Sequence, residues 1–184
     1  EAGVGAGVPG RVVRPGQKGG PAVGLTRKGK GTKWMLVVDG NGVPLGFRLE
    51  SAQKNEVELA PATLETVRVA KPPGQGRAGR PRTRPAQLVA DRGYHSAALR
   101  RYLRRRGIAC CIPPLRRPAG WRPRRGRPVT ARREDYARRW VVERTFAWLG
   151  NQRRLLVRHE RLLATYHGFF AVALSMICLT RVLE

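Results

Sequence analysis

The sequence predicts an α/β fold with a mixed sheet flanked by helices. Three observations point there. Two apolar runs, residues 33–38 and 43–49, are joined by Asp39-Gly40-Asn41-Gly42, and Asp-Gly and Asn-Gly supply the positive φ angles of a hairpin turn. After that hairpin, short apolar runs alternate with amphipathic stretches, the pattern of strands separated by helices. The chain has 184 residues, 41% of them hydrophobic, enough for one domain with a real core.

The elements follow in order. Residues 1–30 are glycine-rich and lack periodicity, so they are expected to be an irregular segment before a domain over residues 31–184. Residues 55–69 read as a helix capped by Asn55, with Glu58 as a box-like partner and Val57, Leu59, Leu64 and Val67 on its apolar side. Residues 88–90 form a short buried strand that ends at Asp91. Ser96 caps a helix to about Arg106, with Leu99 and Leu103 inward, and Gly107 ends it. Residues 109–112 form another strand, stopped by Pro113-Pro114. Residues 130–149 read as one helix. Residues 162–183 read as another, apolar nearly all round and so expected to be central.

The charge balance narrows the partners. Lysine and arginine number 37 against 12 acids, a formal +25, and 31 of the cations are arginine. Guanidinium groups grip phosphate in a bidentate fork, so nucleic acid is the first partner implied. The charge concentrates in two proline-rich stretches without an acid, residues 71–86 and 113–130. Proline breaks both helix and strand ladder, so these are loops or arms that touch phosphate. The residues expected to bind DNA there are Arg77, Arg80, Arg82, Arg84, Arg116, Arg117, Arg122, Arg124, Arg125 and Arg127; Arg153 and Arg154 join them further on.

Other classes are disfavoured. Cys110, Cys111 and Cys178 have no zinc-ligand spacing, and an odd count with an adjacent pair does not suit a disulfide scaffold. The longest apolar run, residues 168–180, is expected to be too short to cross a bilayer, and no leader pattern opens the chain, so a cytoplasmic protein without a membrane partner is expected. Residues 5–10 fit GxGxxG, but no strand precedes them and Pro15 and Gly16 block the helix. Residues 24–30 begin like a phosphate loop, yet Gly31 stands where Ser or Thr must bind magnesium.

The acids are few enough to be informative. Asp91 ends an apolar strand, at the rim where α/β sites are built. Glu143 lies between Val141-Val142 and Phe146, and an acid buried there needs a partner or a metal. Tyr136, Arg139 and Glu143 are spaced by three and four and share one helix face. Arg139 is one candidate partner; convergence of Asp91 and Glu143 on a divalent ion is the other.

Three blocks, GLTRKGKGTKWMLVVDGNGVPLGF, LVADRGYHSAALRRYLRRRGI and RWVVERTFAWLGNQRRLLVRHER, resemble the DDE-type transposases of bacterial insertion sequences, in particular insertion-sequence family five. The resemblance runs from about Lys18 to Leu183 and includes that family's Tyr-Arg-Glu signature as Tyr136, Arg139 and Glu143. It implies a ribonuclease-H-like catalytic domain over residues 31–184 and an acid triad that holds two Mg²⁺ ions, with Mn²⁺ as a substitute. Asp91 and Glu143 would be catalytic and metal-ligating, and Tyr136 and Arg139 supporting. It also implies double-stranded DNA as partner, both transposon ends and target, hydrolysis and strand transfer as the chemistry, and a homo-oligomer. The family's usual lysine seven residues past the glutamate is Gly150 here.

Its first aspartate is expected near Gly10, on the first strand, yet residues 2–38 contain no acid. Asp39 is one strand away. The expectation is therefore an N-terminally incomplete fold and a truncated or inactive copy. A basic nucleic-acid-binding protein without chemistry is the alternative.

Overall fold

The computed structural model describes residues 10–16, 19–27, 29–70, 79–115 and 133–183. Within them lie strands β1 (Gly10–Pro15), β2 (Gly24–Thr26), β3 (Gly29–Val38) and β4 (Pro44–Ser51), then helix α1 (Glu56–Leu64) and strand β5 (Gln87–Val89). Helix α2 (Ala97–Arg105), strand β6 (Ala109–Cys111) and helices α3 (Arg133–Ala137), α4 (Trp140–Gly150), α5 (Arg153–Leu156) and α6 (Leu163–Leu183) complete them.

β3 is the axis of the domain. It pairs antiparallel with β1, with β2 and with β4, while β5 and β6 pair parallel as a second, two-stranded sheet. The expected α/β class is therefore found, with the antiparallel and parallel pairings hydrogen-bonded separately. Successive strand residues face opposite sides. Trp34, Leu36 and Val38 accordingly join one core with Val89, Cys111, α4 and α6, while Met35 and Val37 join another with α1, α2, Leu88 and Ala90. Both sheets contribute to both cores, so helices cover two faces of one strand layer.

Two strands lie in the segment expected to be irregular. β1 and β2 were hidden because their partner supplies the hydrophobicity: every residue from Gly31 to Val38 is buried, whereas β1 reads Gly-Arg-Val-Val-Arg-Pro. Gly31 pairs with Pro15 on one edge and Gly24 on the other. A Cβ there would come within 2.8 Å of the Arg14 carbonyl oxygen, so this crossing needs glycine.

The hairpin is as expected. Asp39 Oδ1 accepts from the backbone N–H of Asn41 and of Val43, both at 2.8 Å, and Gly42 takes φ +87°. Asn55 caps α1 by accepting from Val57 N–H at 3.0 Å. That helix stops at Leu64 rather than Val69. Pro61 removes one of its N–H donors, and Thr66 and Val67 close onto Thr63 and Leu64 by three-residue turns that drop Val67 into the core. Val69 then exchanges two backbone bonds with Arg82.

The helix expected over residues 130–149 is two helices, α3 and α4. Arg138, Arg139 and Val141 each donate to the residue three back, which tightens the chain into a turn between them. Thr130 lies outside the described residues.

α6 is not central. Tyr166, Phe170, Ala173, Leu174 and Ile177 are buried, but Val172, Met176, Leu179 and Val182 face outward and are exposed. The expectation that no segment could cross a bilayer also fails on length. The 21-residue α6 is long and apolar enough by composition, although one face is given to the sheet.

The C-terminal third locks onto β3 through polar groups. Trp34 Nε1 donates to Tyr166 Oη at 3.0 Å, and Tyr166 donates to the Leu155 carbonyl at 3.0 Å. Arg158 is fully buried; its guanidinium donates to the carbonyls of Glu160, Pro21 and Arg161 and to Thr32 Oγ1, and it lies over the Tyr166 ring. Burial pushes the Tyr166 hydroxyl up to about 12. An unfolded tyrosine ionises near pH 10, so between about pH 10 and 12 the unfolded chain loses a proton that the folded one keeps. Stability is expected to fall across that window, by on the order of 3 kcal/mol from this group. Urea unfolding at stepped pH measures it, and Tyr166→Phe should remove that part of the slope.

Candidate active site

Asp91 stands where β5 leaves the core. Ala90 is buried and donates its N–H to the Cys111 carbonyl; Asp91 itself is exposed. It opens a short 3-10 turn over Arg92–Tyr94, and its carboxylate makes no capping bond there. Tyr94 anchors the turn in the core. A Cβ on Gly93 would approach Asp91 Oδ1 to 3.0 Å, so glycine leaves the carboxylate room.

Glu143 lies in the first turn of α4. The expectation that it is buried between apolar neighbours is wrong. Val141, Val142 and Phe146 face the core, while the Glu143 side chain is 59% exposed, because the break before α4 sets the helix rotation. Arg139 donates to Glu143 Oε1 at 2.6 Å and lies 5.9 Å from the centre of the Tyr136 ring. Tyr136, Arg139 and Glu143 thus stack as their spacing foretold, although they span two helices.

Residues near both acids meet in one core, although Ala90, next to Asp91, packs in the other. Val89, two residues before Asp91, belongs to the same buried cluster as Val141 and Val142 beside Glu143. Gln87 Nε2 donates to Asp135 Oδ2 at 2.9 Å, which ties the start of β5 to α3. Nothing in the sequence pattern signals that link across 48 residues. A second feature also escaped sequence reading. The Arg144 guanidinium lies 4.9 Å from the ring centres of both Trp140 and Trp148, and Arg181 lies 4.2 Å from Trp148. Its signal was the i, i+4 spacing of Trp140, Arg144 and Trp148. This ladder runs one residue round the helix from Glu143. It docks α4 on the hairpin, where Arg144 donates to the Asn41 carbonyl at 2.6 Å and Thr145 to that of Gly42 at 2.9 Å.

Asp39 is spent on its own turn. β1 stands near the position expected for the first acid and carries none. Of the cations expected to bind DNA, Arg77, Arg116, Arg117, Arg122, Arg124, Arg125 and Arg127 lie outside the described residues. Arg80 and Arg153 are exposed. Arg82 is exposed and held by its backbone to Val69, and Arg84 donates to the Arg106 carbonyl at 2.6 Å. Arg154 pairs with Glu160 at 2.5 Å and lies over Phe169; it is engaged by the fold.

The family described as transposase DDE domain matches residues 11–178, nearly the whole chain and both acids. The chain belongs to the DDE-domain transposases. Helices on both faces of a strand layer agree with the ribonuclease-H-like fold of that family. A candidate transposase of insertion sequence element IS402 from Burkholderia cepacia is 37% identical over 148 residues, 80% of this chain. The chain spans 63% of that relative's length.

DDE transposases generally use a divalent metal. In this DDE transposase chain the donor set does not fit one: among the described residues no three His, Cys, Asp or Glu side chains gather as a metal-holding group, and Glu143 is ion-paired with Arg139. Two carboxylates alone would leave most of the octahedral shell of Mg²⁺ to water and substrate phosphate oxygens.

Proposed function

We propose that this chain serves DNA transposition. It would act on double-stranded DNA, at insertion-sequence ends and at the target, as the domain for phosphodiester hydrolysis and strand transfer, in the bacterial cytoplasm against the nucleoid. Asp91 and Glu143 are its catalytic acids, and Tyr136 and Arg139 hold Glu143. The observation that supports this reading is the stacked Tyr136–Arg139–Glu143 set beside Val141 and Val142, which share a buried cluster with Val89, two residues before Asp91. With two acids, one of them paired with arginine, the chain alone is expected to bind DNA and leave it uncut. A supercoiled-plasmid nicking assay in Mg²⁺ or Mn²⁺ tests this. Robust nicking that disappears in Asp91→Ala or Glu143→Ala would overturn the inactive state while supporting the site.

The Arg139–Glu143 pair also favours a second reading, a basic DNA-binding protein without chemistry. DNA affinity in chelator separates the two. If DNA runs over the acids, their charge repels its phosphates, and Asp91→Asn with Glu143→Gln should raise affinity several-fold. Under the second reading the affinity stays unchanged.

A further inference from the structure

We propose that the outer face of α2 is a further contact for duplex DNA, gripping the phosphates of one strand without reading sequence. The proposal rests on the DNA-handling function above and assigns it a surface that the acids and basic loops do not include.

The sequence Arg100-Arg101-Tyr102-Leu103-Arg104-Arg105-Arg106 holds five arginines, and no acid lies between Asp91 and Glu134. Leu99 and Leu103 are buried, which fixes the rotation of the helix and leaves Arg101, Arg104 and Arg105 exposed. Two of the five arginines are engaged by the fold. Arg100 donates to the Ile112 carbonyl at 2.5 Å and to Cys110 Sγ at 3.3 Å. Arg106 donates to Tyr102 Oη at 2.8 Å and to the Thr83 carbonyl at 3.2 Å. Arg101, Arg104 and Arg105 have no ion pair or hydrogen bond among the described residues.

Such an arrangement works against the helix. Arg100 with Arg104, and Arg101 with Arg105, are like charges one turn apart and repel. Cations in the last turn do complement the helix dipole, which accounts for Arg104 and Arg105. Arg101 sits mid-helix, where that effect has faded.

The face is also shaped for a backbone. A shallow groove of about 830 Å³ runs along it, with Arg100, Arg101 and Arg104 on one wall and Gly107, Ala109 and Cys110 on the other. Small residues on the second wall let a phosphodiester chain approach. Among the described residues no aromatic ring lines the groove to stack a base, so a duplex backbone fits it better than an unpaired strand.

The test uses the full chain and a random-sequence duplex, with affinity measured across a salt series. In Arg101→Gln/Arg104→Gln/Arg105→Gln the slope of log affinity against log salt should flatten by about 2–3, since each lost phosphate contact removes about 0.9. The melting temperature should not fall, because the replaced groups are exposed, repel their neighbours and have no partner among the described residues. Arg27→Gln/Lys30→Gln, at the exposed β2–β3 turn, controls for net charge. A triple variant with the wild-type slope overturns the proposal, as does a control that flattens it equally per cation removed. Wild-type chain that fails to bind duplex at all would overturn the function proposed above and this contact with it.

Discussion

Arg158→Met is expected to cost about 3–5 kcal/mol of stability, the range for stripping one partner from a buried charged network. The side chain is fully buried, and its bonds to Glu160 and Thr32 lie where water does not reach. Its removal leaves the carbonyls of Pro21, Glu160 and Arg161 and the hydroxyl of Thr32 without this donor. Thr32 and Glu160 are buried, and a buried acceptor without a partner costs about 1–3 kcal/mol; Pro21 and Arg161 are exposed, so water can take over part of what their carbonyls lose. Methionine fills much of the space, so the loss isolates the hydrogen bonds rather than a cavity. Arg158→Lys keeps the charge but offers a point rather than a fork, and should recover only part of the loss. Urea unfolding should show the midpoint of the methionine variant lowered by about 2 M.

DNA affinity is expected to fall about 1,000- to 100,000-fold between roughly 50 and 200 mM salt, if six to ten phosphates are neutralised. Arginine outnumbers every acid in the chain, and the two acid-free stretches hold eleven of the cations. Binding driven by this charge releases counterions from DNA, and added salt opposes that release. Charge reversal at Arg124, Arg125 and Arg127 should weaken binding while thermal unfolding stays in place. Binding that ignores salt would show that the cations serve solubility instead.

What the sequence revealed and what it concealed divide along physical lines. The β3–β4 hairpin was legible because its turn residues and its two strands are contiguous and locally sufficient. α2 was legible because Leu99 and Leu103 alone set its buried side. β1 was illegible because its strand character comes from a partner roughly twenty residues away, and Arg11 and Arg14 look like loop residues without it. Leu162–Leu183 composition suggested a central helix, but composition does not say how many neighbours a helix has; α6 has a neighbour on one face only. At the site, Tyr136, Arg139 and Glu143 were found by spacing. The exposure of Glu143 was not, because it depends on the break at Arg138 and Arg139, where a continuous helix was equally compatible with the residues.

The bonds from Arg158 and Tyr166 back to Pro21, Thr32 and Trp34 have a consequence for synthesis. β3 is made early, and its Trp34 waits through 132 residues for the hydroxyl that receives its N–H. At ordinary translation rates that wait is roughly 7–25 s. During it, the most apolar strand of the protein has its hairpin partner but not the helices that cover one of its faces. Long-range closure of this kind delays folding until Tyr166 arrives. A ribosome stalled before Tyr166 would therefore display an uncovered β3, and chaperone capture of the nascent chain should end abruptly once α6 has cleared the exit tunnel.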